Sequence, residues 1–93
     1  MSNSRARNLK ARYGITVQEY EAMLEAQGGK CYICRRSQEE VGTLAVDHSH
    51  YHEVVRACLC SACNKALGFL QEDIERCYAV IDYLRAFPSG GYT

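Results

Sequence analysis

The sequence predicts a small α+β domain in which helices flank a two-stranded β-hairpin. Apolar residues recur at helical spacing towards both ends of the 93-residue chain, and two short segments rich in β-branched and apolar residues lie between them. Two CxxC pairs bracket these two segments. A domain of this length buries only about 60 to 65 per cent of its unfolded surface, so we expect a bound metal to supply stability that the core alone lacks.

The chain contains no repeat, no low-complexity tract and no internal linker, and we interpret residues 1–93 as a single domain. Its predicted parts are a basic N-terminal helix or arm at 1–14, a helix at 16–28, a metal-clipped ββα core at 31–70, a C-terminal helix at 73–87 and a loose tail at 88–93.

The N-terminal arm, residues 1–14, reads as a short helix from about Ser4 to Tyr13. Leu9 and Tyr13 share one face, and Gly14 provides a stop signal. The net charge of the chain is zero, but four cations precede the first acidic residue. They are Arg5, Arg7, Lys10 and Arg12. The arm is therefore a candidate for contacting nucleic acid, although a solvated helix face explains the same residues.

The second helix begins at Thr16 and Glu19, which have the spacing of a capping box, and it stops at Gly28-Gly29. Residues 44–47 and 54–59 read as strands joined by the polar loop 49–53. The pattern becomes helical again from Ser61. The centre of the chain is thus predicted to run strand, loop, strand, helix.

The last helix is capped by Asp73 and ends before Pro88. Its apolar stripe consists of Ile74, Cys77, Tyr78, Ile81 and Leu84. We expect the tyrosines on helical patterns to pack in the core rather than to stack on bases. These are Tyr13, Tyr20, Tyr78 and Tyr83.

Four of the six cysteines have the spacing of a closed, tetrahedral zinc site. They are Cys31, Cys34, Cys60 and Cys63. Disulfides, buried free thiols or a redox-active pair are the alternatives. The polar N-terminus lacks a signal-peptide core and no apolar run reaches 18 residues, so we expect a cytoplasmic protein with reduced thiols and no membrane span. Cys58 and Cys77 lie outside the pairs and are interpreted as small core residues.

Three residues near the cysteine pairs offer oxygen ligands and a titratable base. Asp47 and His48 are adjacent between the pairs, and Asn64 directly follows Cys63. Taken singly, Asp47 could cap a turn, His48 could be an ordinary loop histidine, and Asn64 could cap a helix. Because neighbouring strand residues point to opposite faces, Asp47 and His48 can share a site only if the chain turns or twists there.

The order of these motifs resembles the recombination endonuclease VII family of the HNH, or His-Me finger, nucleases over about residues 9–86. The matching features are the first CxxC, then L-A-V-D-H-S-H, then V-R-A-C-L-C-S-A-C-N-K-A-L-G, then a helix containing Tyr-Leu. Two features depart from the family pattern. Ser49 stands where an acidic residue is usual between the two histidines, and Tyr51-His52-Glu53 replaces the usual Thr-Gly of the loop.

The resemblance implies a ββα-metal fold that hydrolyses phosphodiester bonds. By position, His48 is similar to the general base that takes a proton from water, and an imidazole with an ordinary pKa of about 6.5 suits that role. Asp47 and Asn64 are similar to the ligands of one Mg²⁺ or Mn²⁺ ion, which stabilises developing negative charge. His50 is a candidate phosphate contact, whereas His52 is expected to be exposed.

Two basic residues near the cysteines, Arg56 and Lys65, are candidates for contacts to DNA phosphates, with charge balance around the zinc as the equal alternative. The resemblance implies duplex or branched DNA as the substrate, in a bacterial or phage-infected cell. RNA and a homodimer remain options. The competing interpretation is a non-catalytic zinc-binding module that binds nucleic acid or protein. Such a module needs the cysteines and the arm, but not Asp47, His48 and Asn64 as a set.

Overall fold

The computed structural model of this chain describes residues 2–49, 51 and 54–87, with side chains from residue 6 onwards. His50, His52, the side chain of Arg5 and the predicted tail at 88–93 lie outside this part. The described elements are helices α1 (Ser2–Tyr13), α2 (Val17–Ala26) and α3 (Gln38–Val41), strands β1 (Ala45–His48) and β2 (Val55–Leu59), and helices α4 (Ser61–Phe69) and α5 (Ile74–Ala86).

The predicted fold class is confirmed, because the described residues form a small α+β structure of five helices and one two-stranded sheet. The sheet pairs β1 with β2, and α4 follows β2 after one residue, which gives the strand, strand, helix order that the sequence predicts. The single-turn helix α3 is absent from the sequence prediction. None of the described helices is long and apolar enough to cross a membrane.

The starts and stops of the first two helices follow their predicted signals. Gly14, with φ of 73°, follows the last residue of α1, and Gly28 and Gly29, with φ of 69° and 70°, follow α2. The Thr16 hydroxyl accepts a hydrogen bond from the Glu19 N–H at 3.0 Å, and the Glu19 carboxylate accepts from the Thr16 N–H at 2.8 Å. The predicted capping box is therefore confirmed.

The core of the described residues surrounds the hairpin and the CxxC pairs. Its buried members are Leu9, Tyr20, Cys31, Leu44, Val46, Cys58, Leu59 and Cys60. The Tyr20 hydroxyl also donates a hydrogen bond to the Leu44 carbonyl at 2.5 Å, which ties α2 to the residue before β1. Three of the eight buried residues are cysteines, so a large part of this small core is sulfur rather than branched aliphatic side chain.

A buried glutamine connects α2 to β2. The side-chain amide of Gln27 donates to the carbonyls of Lys30 at 2.8 Å and Cys58 at 2.9 Å, and its oxygen accepts from the Cys58 N–H at 2.9 Å. Gln27 thus pairs with Cys58 much as a neighbouring strand would, and it satisfies both backbone groups of a fully buried residue.

The hairpin is irregular next to Asp47. Val46 pairs with Cys58 and His48 pairs with Val55, so β1 advances two residues where β2 advances three. The extra residue in β2 makes a bulge, which bends the strand and increases its local twist. The sequence requires a turn or twist of the chain if Asp47 and His48 are to share a site, and the register shift lies at that point.

Helix α5 is capped as predicted, since the Asp73 carboxylate accepts a hydrogen bond from the Arg76 N–H at 3.2 Å. The prediction that its tyrosines, Tyr78 and Tyr83, pack in the core is wrong. Ile74, Tyr78, Ile81, Tyr83 and Leu84 are all exposed. Core packing of the tyrosines holds for the first two helices, where Tyr20 is buried and Tyr13 is partly buried against the core.

Candidate functional site

The four cysteines of the CxxC pairs form one cluster. Their sulfur atoms all lie within 4.8 Å of one another, and the sulfurs of Cys34 and Cys60 are 3.8 Å apart. A tetrahedral zinc site with Zn–S bonds of about 2.3 Å has S–S edges of about 3.8 Å, so the donor set and its spacing fit zinc. All six cysteines of the chain are free thiols, which disfavours the disulfide alternative.

Each CxxC pair is shaped by local backbone hydrogen bonds. In the first pair, the Cys31 carbonyl accepts from the Arg35 N–H at 3.0 Å, and Arg35 adopts a left-handed φ of 64°. In the second pair, Cys60 is the N-cap of α4, and its sulfur accepts from the Cys63 N–H at 3.4 Å. The Tyr32 N–H donates to the Cys58 carbonyl at 3.2 Å, which attaches the first pair to β2.

The thiols of the cluster differ in acidity. Burial raises the pKa of Cys31, but hydrogen bonds from the N–H groups of Cys60, Cys34 and Ile33 outweigh it and lower that pKa to about 6. Burial, followed by a hydrogen bond with the Cys60 sulfur, raises the pKa of Cys63 to about 12. The cluster therefore has one sulfur that ionises readily and one that gives up its proton only to a strong competitor such as a metal ion.

Asp47 lies in β1 opposite the bulge of β2 and is bound by an arginine from β2. Its side chain is about 10 per cent exposed. Arg56 Nε donates to Asp47 Oδ2 at 2.6 Å and Arg56 Nη2 donates to Oδ1 at 3.2 Å, which makes a two-point contact. The remaining nitrogen, Nη1, donates to Glu72 Oε1 at 3.2 Å. The hydrogen bond to Asp47 raises the pKa of the Arg56 guanidinium further above its usual range.

His48 ends β1 and is partly buried. The ring of Tyr13, at the end of α1, meets its imidazole edge to face, with ring centroids 5.6 Å apart and an interplanar angle of 65°. The His48 carbonyl lies 3.4 Å from Arg56 Nη2, which donates to it. The basic arm and the hairpin thus meet at this histidine.

Asn64 lies in the first turn of α4 and is partly buried. Because Cys60 is the N-cap of that helix, the alternative role of Asn64 as a helix cap is wrong. The Asn64 N–H donates to the Cys60 carbonyl at 2.9 Å, and α4 packs against β1, which carries Asp47 and His48. The second CxxC pair therefore holds the start of the helix that carries Asn64.

An open cavity of about 430 Å³ lies beside the ion pair of Asp47 and Arg56. Its other lining residues are Tyr32, Ile33, Ala57, Leu59 and Leu67. Tyr32 and Ile33, the two residues inside the first CxxC pair, are exposed. The cavity thus has one charged end and apolar walls, and one of those walls belongs to the zinc cluster.

The basic residues that the sequence nominates for DNA contact occupy three different places. Arg7, Lys10 and Arg12 are exposed on α1. Lys65 lines a second cavity beside the cysteine cluster together with Arg36, a position that suits charge balance around the thiolates. Arg56 is engaged by two carboxylates. His50 and the side chain of Arg5 are outside the described residues.

Three residues of this region are missed by the sequence patterns as site residues. The sequence predicts Tyr13 only as a packing residue and gives no role to Tyr32 or Glu72. Glu72 carries one usable signal, because it precedes the cap residue Asp73 in the turn between α4 and α5. The fold brings it to Arg56 across 16 residues of chain.

Comparisons with known proteins give one family model and two similar phage proteins. The family model described as recombination endonuclease VII matches residues 6–86. The chain is 46 per cent identical over 89 residues to Gene 59 protein of Mycobacterium phage D29 and 44 per cent identical over 89 residues to Gene 59 protein of Mycobacterium phage L5. Each match covers 95 per cent of this chain and 54 per cent of the relative, so the chain spans about half the length of these curated relatives. No solved structure matches it with statistical significance.

Proposed function

Because the chain belongs to the recombination endonuclease VII family, we propose that it is a metal-dependent DNA endonuclease of the HNH type. The observation that carries the proposal is the position of Asp47. Its carboxylate is 10 per cent exposed yet lines an open cavity, next to a histidine held by an aromatic ring. A nearly buried carboxylate beside an accessible cavity is in a position to bind a ligand that enters the cavity.

In this proposal His48 is the general base. One imidazole nitrogen takes a proton from the water that attacks the phosphorus, a role that contributes about 10² to 10⁴ in rate. The ring contact with Tyr13 limits rotation of the imidazole, so the accepting nitrogen stays aimed at the water.

Asp47 and Asn64 fit a hard divalent cation, since one offers a carboxylate oxygen and the other an amide oxygen. They would hold Mg²⁺ or Mn²⁺, and when bound this ion would neutralise charge on the phosphate and on the departing 3′ oxygen. Among the described residues, the only group of three or more His, Cys or acidic side chains close enough to share a metal is the cysteine cluster. A site made of Asp47 and Asn64 would therefore depend on water and substrate for its remaining ligands.

In this proposal, one strand of DNA binds in the cavity beside Asp47. A phosphate would lie at the charged end near Arg56, and the adjoining sugar would pack against Tyr32 and Ile33. The arm residues Arg7 and Lys10 would contact phosphates further along the backbone, because α1 reaches the site at Tyr13. In this arrangement the zinc cluster supports both a wall of the cavity and the start of α4.

The test is nicking of supercoiled plasmid by the zinc-loaded protein with added Mg²⁺. We expect His48→Ala to lower the rate by about 10² to 10⁴, and Asp47→Asn and Asn64→Ala to abolish cutting, all with unchanged zinc content. Asp82→Asn, an exposed acid on α5, is the matched control and should cut like the wild type. Linear duplex, four-way-junction and single-stranded RNA substrates in the same assay determine the substrate class.

If the folded, zinc-loaded wild-type protein binds DNA but cuts none of these substrates, the proposed nuclease function is wrong. That outcome would favour the alternative, a zinc-binding module without catalysis.

A further inference from the structure

Arg56 holds an unusual position, because one guanidinium bridges two nearly buried carboxylates from different elements. It binds Asp47 of β1 at 2.6 and 3.2 Å and Glu72 of the α4–α5 turn at 3.2 Å. The side chains of Asp47 and Glu72 are each about 10 per cent exposed, whereas that of Arg56 is 37 per cent exposed. The two acids are thus shielded from water while the cation between them remains accessible.

The backbone holds Glu72 in place at some cost. Gln71 and Glu72 adopt consecutive left-handed conformations, with φ of 58° and 54°, and neither is glycine. Such conformations are strained for residues with side chains and persist where surrounding contacts over-determine them. This turn brings the Glu72 carboxylate to Arg56, so the guanidinium has a second anchor that does not depend on Asp47.

The two-point contact with Asp47 uses the same oxygens that a metal ion would need. The planar fork that fits a carboxylate also fits a phosphate, so an arginine released from Asp47 has an obvious new partner in bound DNA. Because Glu72 still holds Nη1, the guanidinium would stay at the charged end of the cavity after that release.

We propose that Arg56 is an internal counter-ion that competes with the divalent cation for Asp47 and then, tethered by Glu72, binds the scissile phosphate. This inference rests on the proposed function. It predicts that replacing Arg56 raises the affinity for the divalent cation and lowers the rate of cleavage. If Arg56 only supported the fold of the site, replacing it would lower both the metal affinity and the cleavage rate.

The experiment compares the zinc-loaded wild type with Arg56→Gln, Arg56→Lys, Asp47→Asn and a control of equal charge change, Arg76→Gln on α5. Mn²⁺ affinity is measured without DNA from the electron paramagnetic resonance signal of free Mn²⁺. Plasmid nicking is measured at saturating Mn²⁺, and zinc content and melting temperature establish folding. Arg56→Lys keeps the charge but loses the fork, so it remains informative if Arg56→Gln does not fold.

We expect Arg56→Gln to bind Mn²⁺ about tenfold more tightly, since a competing cation is removed, and to nick about 100-fold more slowly. Arg56→Lys should show smaller changes in the same two directions, and Arg76→Gln should match the wild type. The inference is overturned if both Arg56 variants, while folded, bind Mn²⁺ more weakly than the wild type or with the same affinity. In that case the proposed function still holds if the wild type nicks plasmid and Asp47→Asn loses Mn²⁺ binding. If the wild type neither nicks nor binds Mn²⁺ through Asp47, the proposed function and this inference fail together.

Discussion

At the level of single residues, Asp47 and His48 of the proposed site are each held by a side chain from another element. Tyr13 contacts His48 from 35 positions away in the chain, and Arg56 contacts Asp47 from the opposite strand. Positioning of this kind matters for catalysis because misplacement of a base by about 1 Å can cost a large part of the rate. In the proposed mechanism, the packing of Tyr13 against His48 would therefore affect catalysis as well as stability.

For Tyr13, we expect substitution by leucine to slow DNA cleavage roughly three- to tenfold, which corresponds to loss of an aromatic pair. Tyr13→Phe retains the ring and should cut at the wild-type rate. The measurement is single-turnover cleavage, with zinc content and melting temperature as folding checks. Tyr78→Leu, at an exposed position on α5, is the control. Equal rates for Tyr13→Leu and the wild type would show that the ring contact does not orient His48.

For the zinc cluster, we expect zinc affinity to fall as pH decreases, with a steeper dependence below about pH 6. Zinc must displace every thiol proton. The pKa of Cys31 is lowered to about 6, so this sulfur is ionised at neutral pH and costs nothing there, but it becomes protonated at lower pH. The pKa of Cys63 is raised to about 12, so its proton must be displaced across the whole range from pH 5 to 8.

This dependence can be measured by chelator competition between pH 5 and 8, where the slope of log affinity against pH should increase by about one below pH 6. Cys77→Ser, which lies outside the cluster, should give the wild-type profile, and Cys31→Ser should lose zinc. A slope of log zinc affinity against pH that stays constant from pH 5 to 8 would contradict the lowered pKa of Cys31. Full zinc content in Cys31→Ser would contradict its role as a zinc ligand.

At the level of secondary-structure elements, the sequence predicts what depends on local pattern. The capping box at Thr16, the stop at Gly14 and the hairpin are all signalled by residues close together in the chain, and the structure has each of them. The bulge opposite Asp47 is different. It arises from how two strands pair, and no residue within β1 or β2 specifies that β2 takes three steps where β1 takes two.

The contacts of the candidate site show the same division. The sequence nominates Asp47, His48 and Asn64 as site residues from their chemistry and order in the chain. The spacing of the cysteines predicts the metal-binding cluster. It does not predict that Arg56 faces Asp47 rather than DNA or the zinc thiolates, because that outcome depends on the bulge and on the strained turn at Glu72. Likewise, periodicity in α5 predicts an apolar face but not whether anything covers it.

The link between α2 and β2 depends on one side chain, Gln27. We expect Gln27→Leu to lower the free energy of unfolding by about 2 to 4 kcal/mol, because it removes three hydrogen bonds and leaves the buried N–H of Cys58 without its partner. Denaturant unfolding of the zinc-loaded protein measures the change. Gln18→Leu, at an exposed position of the same helix, should stay within about 0.5 kcal/mol of the wild type. A similarly small effect of Gln27→Leu would mean that other contacts hold the element in place.

At the level of the whole molecule, the chain is extended rather than spherical. Its Cα radius of gyration is 15.5 Å, against about 12 Å expected for a compact domain of this length. The buried residues of the described part lie in α1, α2, the first cysteine turn and the ββα region, whereas α5 has none. The buried residues and the proposed site therefore precede α5, in the part of the chain that also contains the basic arm.

The position of the arm leads to a prediction about DNA binding by the whole molecule. Arg7 and Lys10 are exposed on α1, whose last residue, Tyr13, contacts His48. If both cations bind phosphates, replacing them with alanine removes two counterion-release events. The slope of log binding constant against log salt concentration should then become shallower by about 1.8.

The control is the double variant Arg76→Ala with Arg85→Ala, which makes the same change of net charge on α5. It separates direct contact with DNA from the overall electrostatic field of the molecule. Fluorescence anisotropy of labelled duplex DNA between 50 and 300 mM salt, in Ca²⁺ to prevent cutting, gives both slopes. Equal changes in the two double variants would mean that the arm acts only through net charge, and a slope unchanged in the arm variant would place the DNA elsewhere on the protein.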